Sequence, residues 1–256
     1  MNSKKYAYKT IMEDTNFRCL SDKNLVESIS SSVKNAEVVY EKDKIEHDFD
    51  LSGTKNIVFS SDGSFTAASK YKNKKVAVLD FANAKYPGGP SHGLSNSQEA
   101  SLCRTSTLLP CLYEFKDSYY EKHFSNDFLG NDDLIYVPNV IVFKDDQDFQ
   151  LLNENQFKTD VIVSCAPYLR DNYISNDRLK PILYKRLEKV MQIAQKKGVE
   201  VLILGAYGCG KFHNEPVVVA TAFKELLEKY HFDTVEFAIY SDNDNTKLLT
   251  FQLAFK

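Results

Sequence analysis

The sequence predicts a three-layer α/β/α fold around a mixed central sheet, on two observations. Short apolar runs rich in Val and Ile, bounded by turn residues, recur through the 256 residues in the manner of strands covered on both faces. Between the later runs the apolar spacing changes to three and four, the period of a helix with one buried face. Strand, helix, strand, helix, strand from Val161 to Tyr240 then reads as a mixed or parallel sheet between helix layers. The length is long for one ordinary domain and short for two, and no repeat, low-complexity tract or Pro/Gly/Ser linker divides it. Residues 1–256 therefore read as one domain, with 1–56 as a helical N-terminal extension.

In chain order, Tyr6 to Thr15 and Asn24 to Val33 are helix candidates, in a region less periodic than the rest. Ile57-Val58-Phe59 is the first strand, and Ser60 to Lys72 is expected to be a helix leading into the Val76-Ala77-Val78-Leu79 strand. Ile135 to Phe143 and Val161-Ile162-Val163 follow as strands. Leu179, Leu183, Leu187, Val190, Met191 and Ala194 share one face of a helix ending near Gly198. After the Val201 to Leu204 strand, Val219, Ala222, Phe223, Leu226, Leu227 and Tyr230 mark another helix, with Asn214 as its N-cap and Pro216 in its first turn. Val235 to Tyr240 is the last strand and Thr246 to Phe255 the last helix.

Composition excludes several classes. Hydrophobic residues at 43%, charged at 26% and a net charge of −3 argue against disorder and against the electrostatic footprint of a duplex nucleic-acid binder. The five cysteines (19, 103, 111, 165, 209) are odd in number, widely spaced and without a CxxC pair, which argues against a disulfide framework or a structural zinc and for a reducing compartment. The N-terminus has no apolar signal region and no run approaches a membrane span, so a cytoplasmic protein without a membrane partner is expected.

The chemistry is expected where strands run into loops and helix N-termini. Two such loops are loaded with glycine: Asp80 to Ala100, containing Pro87-Gly88-Gly89-Pro90, after the Val76 strand, and Gly205 to Glu215, containing Gly208-Cys209-Gly210, after the Leu204 strand. Glycine lets backbone amides approach a ligand, and a run of free amides before a helix is an anion site, so the pair points to a phosphate-bearing ligand. Gly205-x-x-x-x-Gly210-Lys211 has P-loop spacing, but Phe212 stands where a magnesium-holding hydroxyl is needed, which makes a P-loop nucleotide hydrolase a disfavoured reading. His92 reads as a solvated loop residue, and His47, His123 and His231 form no cluster. Cys209 reads as packing, although its place near a helix start leaves a depressed thiol pKa open. Asp145-Asp146 and Asp242-x-Asp244 read as loops or caps, Tyr119-Tyr120 as packing, and no metal or cofactor is called for.

Phe81-Ala82-Asn83, Gly88-Gly89-Pro90, then Gln98-Glu99 and Leu102-Cys103-Arg104-x-Ser106 resemble the microbial-type poly(ADP-ribose) glycohydrolases, a branch of the macrodomain superfamily. Ile135-Tyr136-x-Pro138, Ser164-Cys165-Ala166-Pro167 and Leu204-Gly205-Ala206-Tyr207-Gly208-Cys209-Gly210-x-Phe212-x-Asn214-Glu215-Pro216 continue the likeness in order. The resemblance implies a macrodomain-like fold and ADP-ribose, or an ADP-ribosylated macromolecule, as partner. Asn83, Pro87, Gly88 and Gly89 would face the distal ribose, the loop from Gly205 through Gly208, Cys209 and Gly210 would cradle the diphosphate, and Phe212 would lie against that ribose. Gln98 and Glu99 would belong to the ligand site, with Glu99 on the ribose hydroxyls.

The family signature is Gly-Gly-Gly, then Gln-Glu-Glu, whose second glutamate protonates the leaving oxygen. Here Ala100 stands in its place and Pro90 replaces the third glycine. Cleavage of a ribosyl bond passes through an oxocarbenium-like transition state that needs a placed acid. A binder with weak or lost hydrolysis is therefore expected, the alternative being a hydrolase in which Glu99, His92 or a better leaving group makes up for the missing acid.

Overall fold

The computed structural model describes residues 2–123, 127–240 and 244–256, the side chains of 2–5 and 123 excepted. The chain runs α1 (Asn2–Ser21), α2 (Lys23–Asn35), β1 (Glu37–Val39), β2 (Ile57–Ser60), α3 (Ser64–Ser69), β3 (Val76–Phe81), α4 (Gln98–Thr105), α5 (Leu108–Tyr113), β4 (Leu134–Val142), β5 (Phe157–Ser164), α6 (Asn176–Lys196), β6 (Val201–Leu204), α7 (Pro216–Lys229), β7 (Thr234–Ala238) and α8 (Thr246–Ala254). Seven strands form one sheet in the order β1-β4-β5-β3-β6-β7-β2. The five strands from β5 to β2 are parallel, and β4 joins antiparallel to β5 and β1, so the sheet is mixed as expected.

Alternation along β3 divides the core. Ala77 and Leu79 point into an apolar layer built with α6, α7 and Phe251 of α8, whereas Val76, Val78 and Ala82 point into a second layer built with α3, α4, α5 and Met12 of α1. Two covered faces explain the unbroken apolar strands, since neither side of the sheet meets water. The spacing of Leu179, Leu183, Leu187 and Val190 serves α6 as read, with every one of them buried. No helix among the described residues is long and apolar enough to cross a membrane.

Three details differ from expectation. The helix expected over Ser60 to Lys72 shrinks to α3, because Ser60 still pairs with Ala238 in the β2–β7 ladder and Asp146 caps the later start by accepting from Phe65 N (2.8 Å) and Thr66 N (3.3 Å). Residues 1–56 do more than precede the fold: β1 forms the sheet edge by pairing Val38 with Ile135, and Ser32 on α2 donates to Asn139 O. Asn214 does not cap α7. Glu215 occupies that position in extended conformation, while Asn214 Nδ2 donates to Pro167 O (2.8 Å) and Gly208 O (3.2 Å), tying two loops together.

The ladders place the strand ends side by side. Phe81 pairs with Ser164, Leu204 with Phe237 and Ser60 with Ala238, so the segments after β2, β3, β5, β6 and β7 all leave the same edge of the sheet. A cavity of about 900 Å³ lies there.

Candidate functional site

The first glycine loop is held shut from within. Gly88 and Gly89 have φ of +71° and +81°, a region that side chains with a Cβ rarely enter. Their amides are committed: Gly88 N donates to Glu99 Oε1 (3.1 Å) and Gly89 N to Tyr86 O (2.9 Å). Asn83 Oδ1 accepts from Lys85 N and Tyr86 N, each at 2.9 Å, an Asx turn that sets the loop's first bend. Gln98 is a buckle, its Oε1 accepting from Phe81 N (2.9 Å) and its Nε2 donating to Leu79 O (2.9 Å) and Ser64 Oγ (3.1 Å). Behind the loop Arg104 donates to Gly93 O and Ser95 O, with its guanidinium 4.0 Å from the centre of the Tyr8 ring and 5.2 Å from that of Phe149.

Glu99 is 2% exposed yet lines the cavity. Both of its oxygens accept backbone N–H groups, Oε2 from Asn83 (3.0 Å) and Oε1 from Gly88. Those donors favour its ionised form, while burial and the neighbouring Asp80 carboxyl push its pKa up. Ala100, the next residue on α4, has no exposed surface and is not among the cavity-lining residues.

The second glycine loop is the opposite case. Among the described residues, the N–H groups of Gly208, Gly210, Lys211 and Phe212 make no hydrogen bond within the chain, whereas Cys209 N donates to Ala206 O and His213 N to Gly210 O. All four residues with free amides line the cavity. Unpaired amides in a turn before a helix are what an anion cradle needs. The exposed cations Lys211 and Arg170 stand beside it. Phe212 packs edge-on against Tyr168, ring centroids 5.3 Å apart, and Leu169 N donates to Phe212 O (2.8 Å), so the loops after β5 and β6 form one wall.

The chain matches the family model for the microbial-type PARG catalytic domain over residues 8–145, more than half its length. It belongs to that family. Solved structures of PARG agree along nearly the whole chain. Poly(ADP-ribose) glycohydrolase from Thermomonospora curvata bound to the inhibitor ADP-HPD is 26% identical, with a TM-score of 0.87 over 98% of this chain and 100% of that one. The Deinococcus radiodurans enzyme in complex with ADP-ribose is 27% identical, with a TM-score of 0.77 over 88% and 96%. No curated protein sequence matches the chain.

Of the positions that the PARG resemblance points to, Asn83, Gly89, Gln98, Glu99, Gly208, Gly210 and Phe212 meet at the cavity. Pro87, Gly88, Gly205 and Cys209 stand outside its lining and shape the turns instead. Gly205 is forced by the close approach of Ala238 O, 2.8 Å from where a Cβ would sit. Burial pushes the Cys209 thiol up to about 12, which removes the depressed thiol left open above. His92 is exposed, lies outside the cavity lining and shares a hydrogen bond with Tyr113 (3.3 Å). Tyr119 and Tyr120 are fully buried, and Asp146 is the helix cap described above. Asp242 and the side chain of His123 lie outside the described residues.

The sequence does not single out Asp62, Tyr168, Arg170, Tyr240 or Lys247, which also line the cavity. Their only signal is position: each lies just beyond a strand's carboxyl end or, for Lys247, on the helix that follows. Of these, Asp62 is paired with Lys70 at 2.6 Å.

Proposed function

We propose that the chain binds ADP-ribose, free or as the terminus of an ADP-ribosylated macromolecule, and hydrolyses it weakly or not at all. The observation that carries this reading is the contrast at the two loops. A cradle of free amides is intact for a diphosphate, while the helix turn that should present a second glutamate presents Ala100. Glu99, with both oxygens accepting backbone amides, is suited to receive ribose hydroxyls as a carboxylate rather than to deliver a proton. The PARG structures with ADP-HPD and ADP-ribose support the ligand class.

Calorimetry tests the binding half. Metal-independent binding of ADP-ribose is expected, and binding of ATP with magnesium in its place would reject the reading in favour of a nucleotide hydrolase. Phe212→Ala is expected to weaken ADP-ribose by up to about tenfold, the order of one lost aromatic contact of about 0.5–1.5 kcal/mol. Hydrolysis assays on poly(ADP-ribose) and on Ser-, Arg- and Glu/Asp-linked mono-ADP-ribose test the other half. A second reading, a hydrolase that uses Glu99 as its acid, draws on the upward push of burial on that carboxyl. Turnover that Glu99→Ala abolishes while ADP-ribose affinity is retained would overturn the binder in its favour.

A further inference from the structure

Arg104 and Arg186 are both buried, and only one of them has a counter-ion. Arg186 donates from Nε to Asp132 Oδ1 (3.0 Å), from Nη1 to Cys165 O (2.8 Å) and from Nη2 to Leu129 O (2.9 Å). Arg104 is 1% exposed and pairs with no carboxylate among the described residues. Its Nη1 donates to Gly93 O and Ser95 O, its Nε is buried without a partner, and its Nη2 makes no hydrogen bond among those residues. Burial pulls the guanidinium down only to about 10, so it is charged at neutral pH. The rings of Tyr8 and Phe149 ease the cost of that charge without cancelling it.

This unmatched cation lines the cavity, among surfaces that suit a nucleotide. Ser97, Ser101 and Arg104 follow at spacings of four and three along one stripe of α4 and its cap. All three line the cavity, with Tyr8 of α1 and Phe149 of the turn after β4. The Ser101 hydroxyl has no partner among the described residues. The acids on this wall are engaged elsewhere: Asp146 caps α3, and Asp148 accepts from Gln150 N (3.0 Å). Phe149 sits at φ +62°, a region that a bulky side chain rarely enters, and such strain collects at ligand clamps. Nε and Nη2 form the edge of the guanidinium fork that takes two phosphate oxygens at once. A nucleotide brings an anion for that edge and a flat base for an aromatic ring, whereas an acidic peptide brings only the anion.

We infer that the cavity wall around Arg104 is a second anion subsite, which takes a phosphate of the nucleotide unit joined to the bound ADP-ribose. The inference rests on the ADP-ribose reading above. The first diphosphate lies on the free amides from Gly208 to Phe212, and the second meets the free edge of Arg104 and the Ser101 hydroxyl. Phe149 turns off the guanidinium and onto the incoming base, and the release of its strained turn lowers the cost of that movement. The cleft then holds two consecutive units of a poly(ADP-ribose) chain rather than its end alone.

Calorimetry of the full chain with three ligands tests this: ADP-ribose, its dimer, and ADP-ribose joined through the same bond to adenosine, which lacks the second diphosphate. Wild type is expected to bind the dimer roughly 10- to 100-fold more tightly than the adenosine compound, the worth of one hydrogen bond between charged groups. Ser101→Glu puts a carboxylate three residues before Arg104 on the same stripe and gives the cation a partner within the chain. The dimer's advantage is expected to vanish in that variant and to persist in Ser101→Gln, which is of like size and uncharged.

Equal affinity of wild type for the dimer and the adenosine compound overturns the inference, as does an advantage that survives Ser101→Glu. Should Ser101→Glu fail to fold, the comparison of ligands on the wild-type protein decides alone. ADP-ribose attached to an acidic peptide, bound with the advantage expected of the dimer while the dimer shows none, would assign the wall to a protein and overturn the nucleotide subsite. ADP-ribose binding without any gain from the dimer defeats this inference and leaves the proposed function standing. Absence of binding by all three ligands defeats both.

Discussion

Ala100→Glu is expected to raise release of ADP-ribose from poly(ADP-ribose) by roughly 10²- to 10⁴-fold, the usual contribution of one placed acid. Position 100 is in the first turn of α4, where Ser97 caps the helix by accepting from Ala100 N (3.3 Å). The turn itself is thus already ordered in the helical conformation that a glutamate also adopts. Ala100 has no exposed surface and does not itself line the cavity, so the carboxyl has to reach past packed neighbours to the cavity edge that Glu99 and Ser101 line. A helix N-terminus favours the carboxylate form by itself. Burial and the negative charge of Glu99 work against that and favour the protonated form, the condition a general acid needs. An initial-rate assay of the variant against wild type reads the gain. An unchanged rate with ADP-ribose affinity retained would put the deficit in the glycine loop, where Pro90 fixes φ and removes an amide at the cavity wall, and Pro90→Gly on the same background would then be the variant to measure.

The elements that the sequence makes legible are those whose burial is one-sided and long. α6 shows its face in Leu179, Leu183, Leu187 and Val190, and the core strands show themselves as runs of Val and Ile with no polar alternation. β1 escapes because Glu37-Val38-Val39 is three residues long and owes its conformation to β4, a partner almost a hundred positions away. The site is legible at its glycines and its Gln-Glu pair, since those positions carry motif spacing. Their duties divide in a way that spacing does not reveal: Gln98 spends its hydrogen bonds on the chain, and the amides of Gly88 and Gly89 are consumed by Glu99 and Tyr86. Tyr168 and Arg170 arrive from the β5 loop without any glycine to mark them. Asp80 reads in the sequence as the first residue of the glycine loop, whereas it lies within β3, fully buried and with neither carboxyl oxygen partnered.

Gly208→Ala is expected to lower ADP-ribose affinity by roughly 10²- to 10³-fold and to destabilise the fold. A Cβ at this position would lie 2.5 Å from both the Ala166 methyl and Asn214 Nδ2, and φ is +70°. The left-handed conformation costs an alanine about 1–2 kcal/mol before any contact is counted. The contacts then force apart the loops after β5 and β6, because Asn214 is the tie that donates to Pro167 O and Gly208 O. Moving that tie displaces the free amides of Gly208, Gly210, Lys211 and Phe212, and hydrogen bonds to a charged group are worth about 1.5–3 kcal/mol each. Losing the alignment of one or two accounts for the expected range. Gly210→Ala is the contrast: nothing lies within 4 Å of a Cβ there, and its φ is outside the left-handed region. That variant is expected to gain about 0.4–1 kcal/mol of stability by restricting the unfolded chain and to lose far less affinity than Gly208→Ala. Calorimetry and thermal unfolding on the two variants measure the difference. Equal losses at both positions would mean that the diphosphate does not lie in this turn.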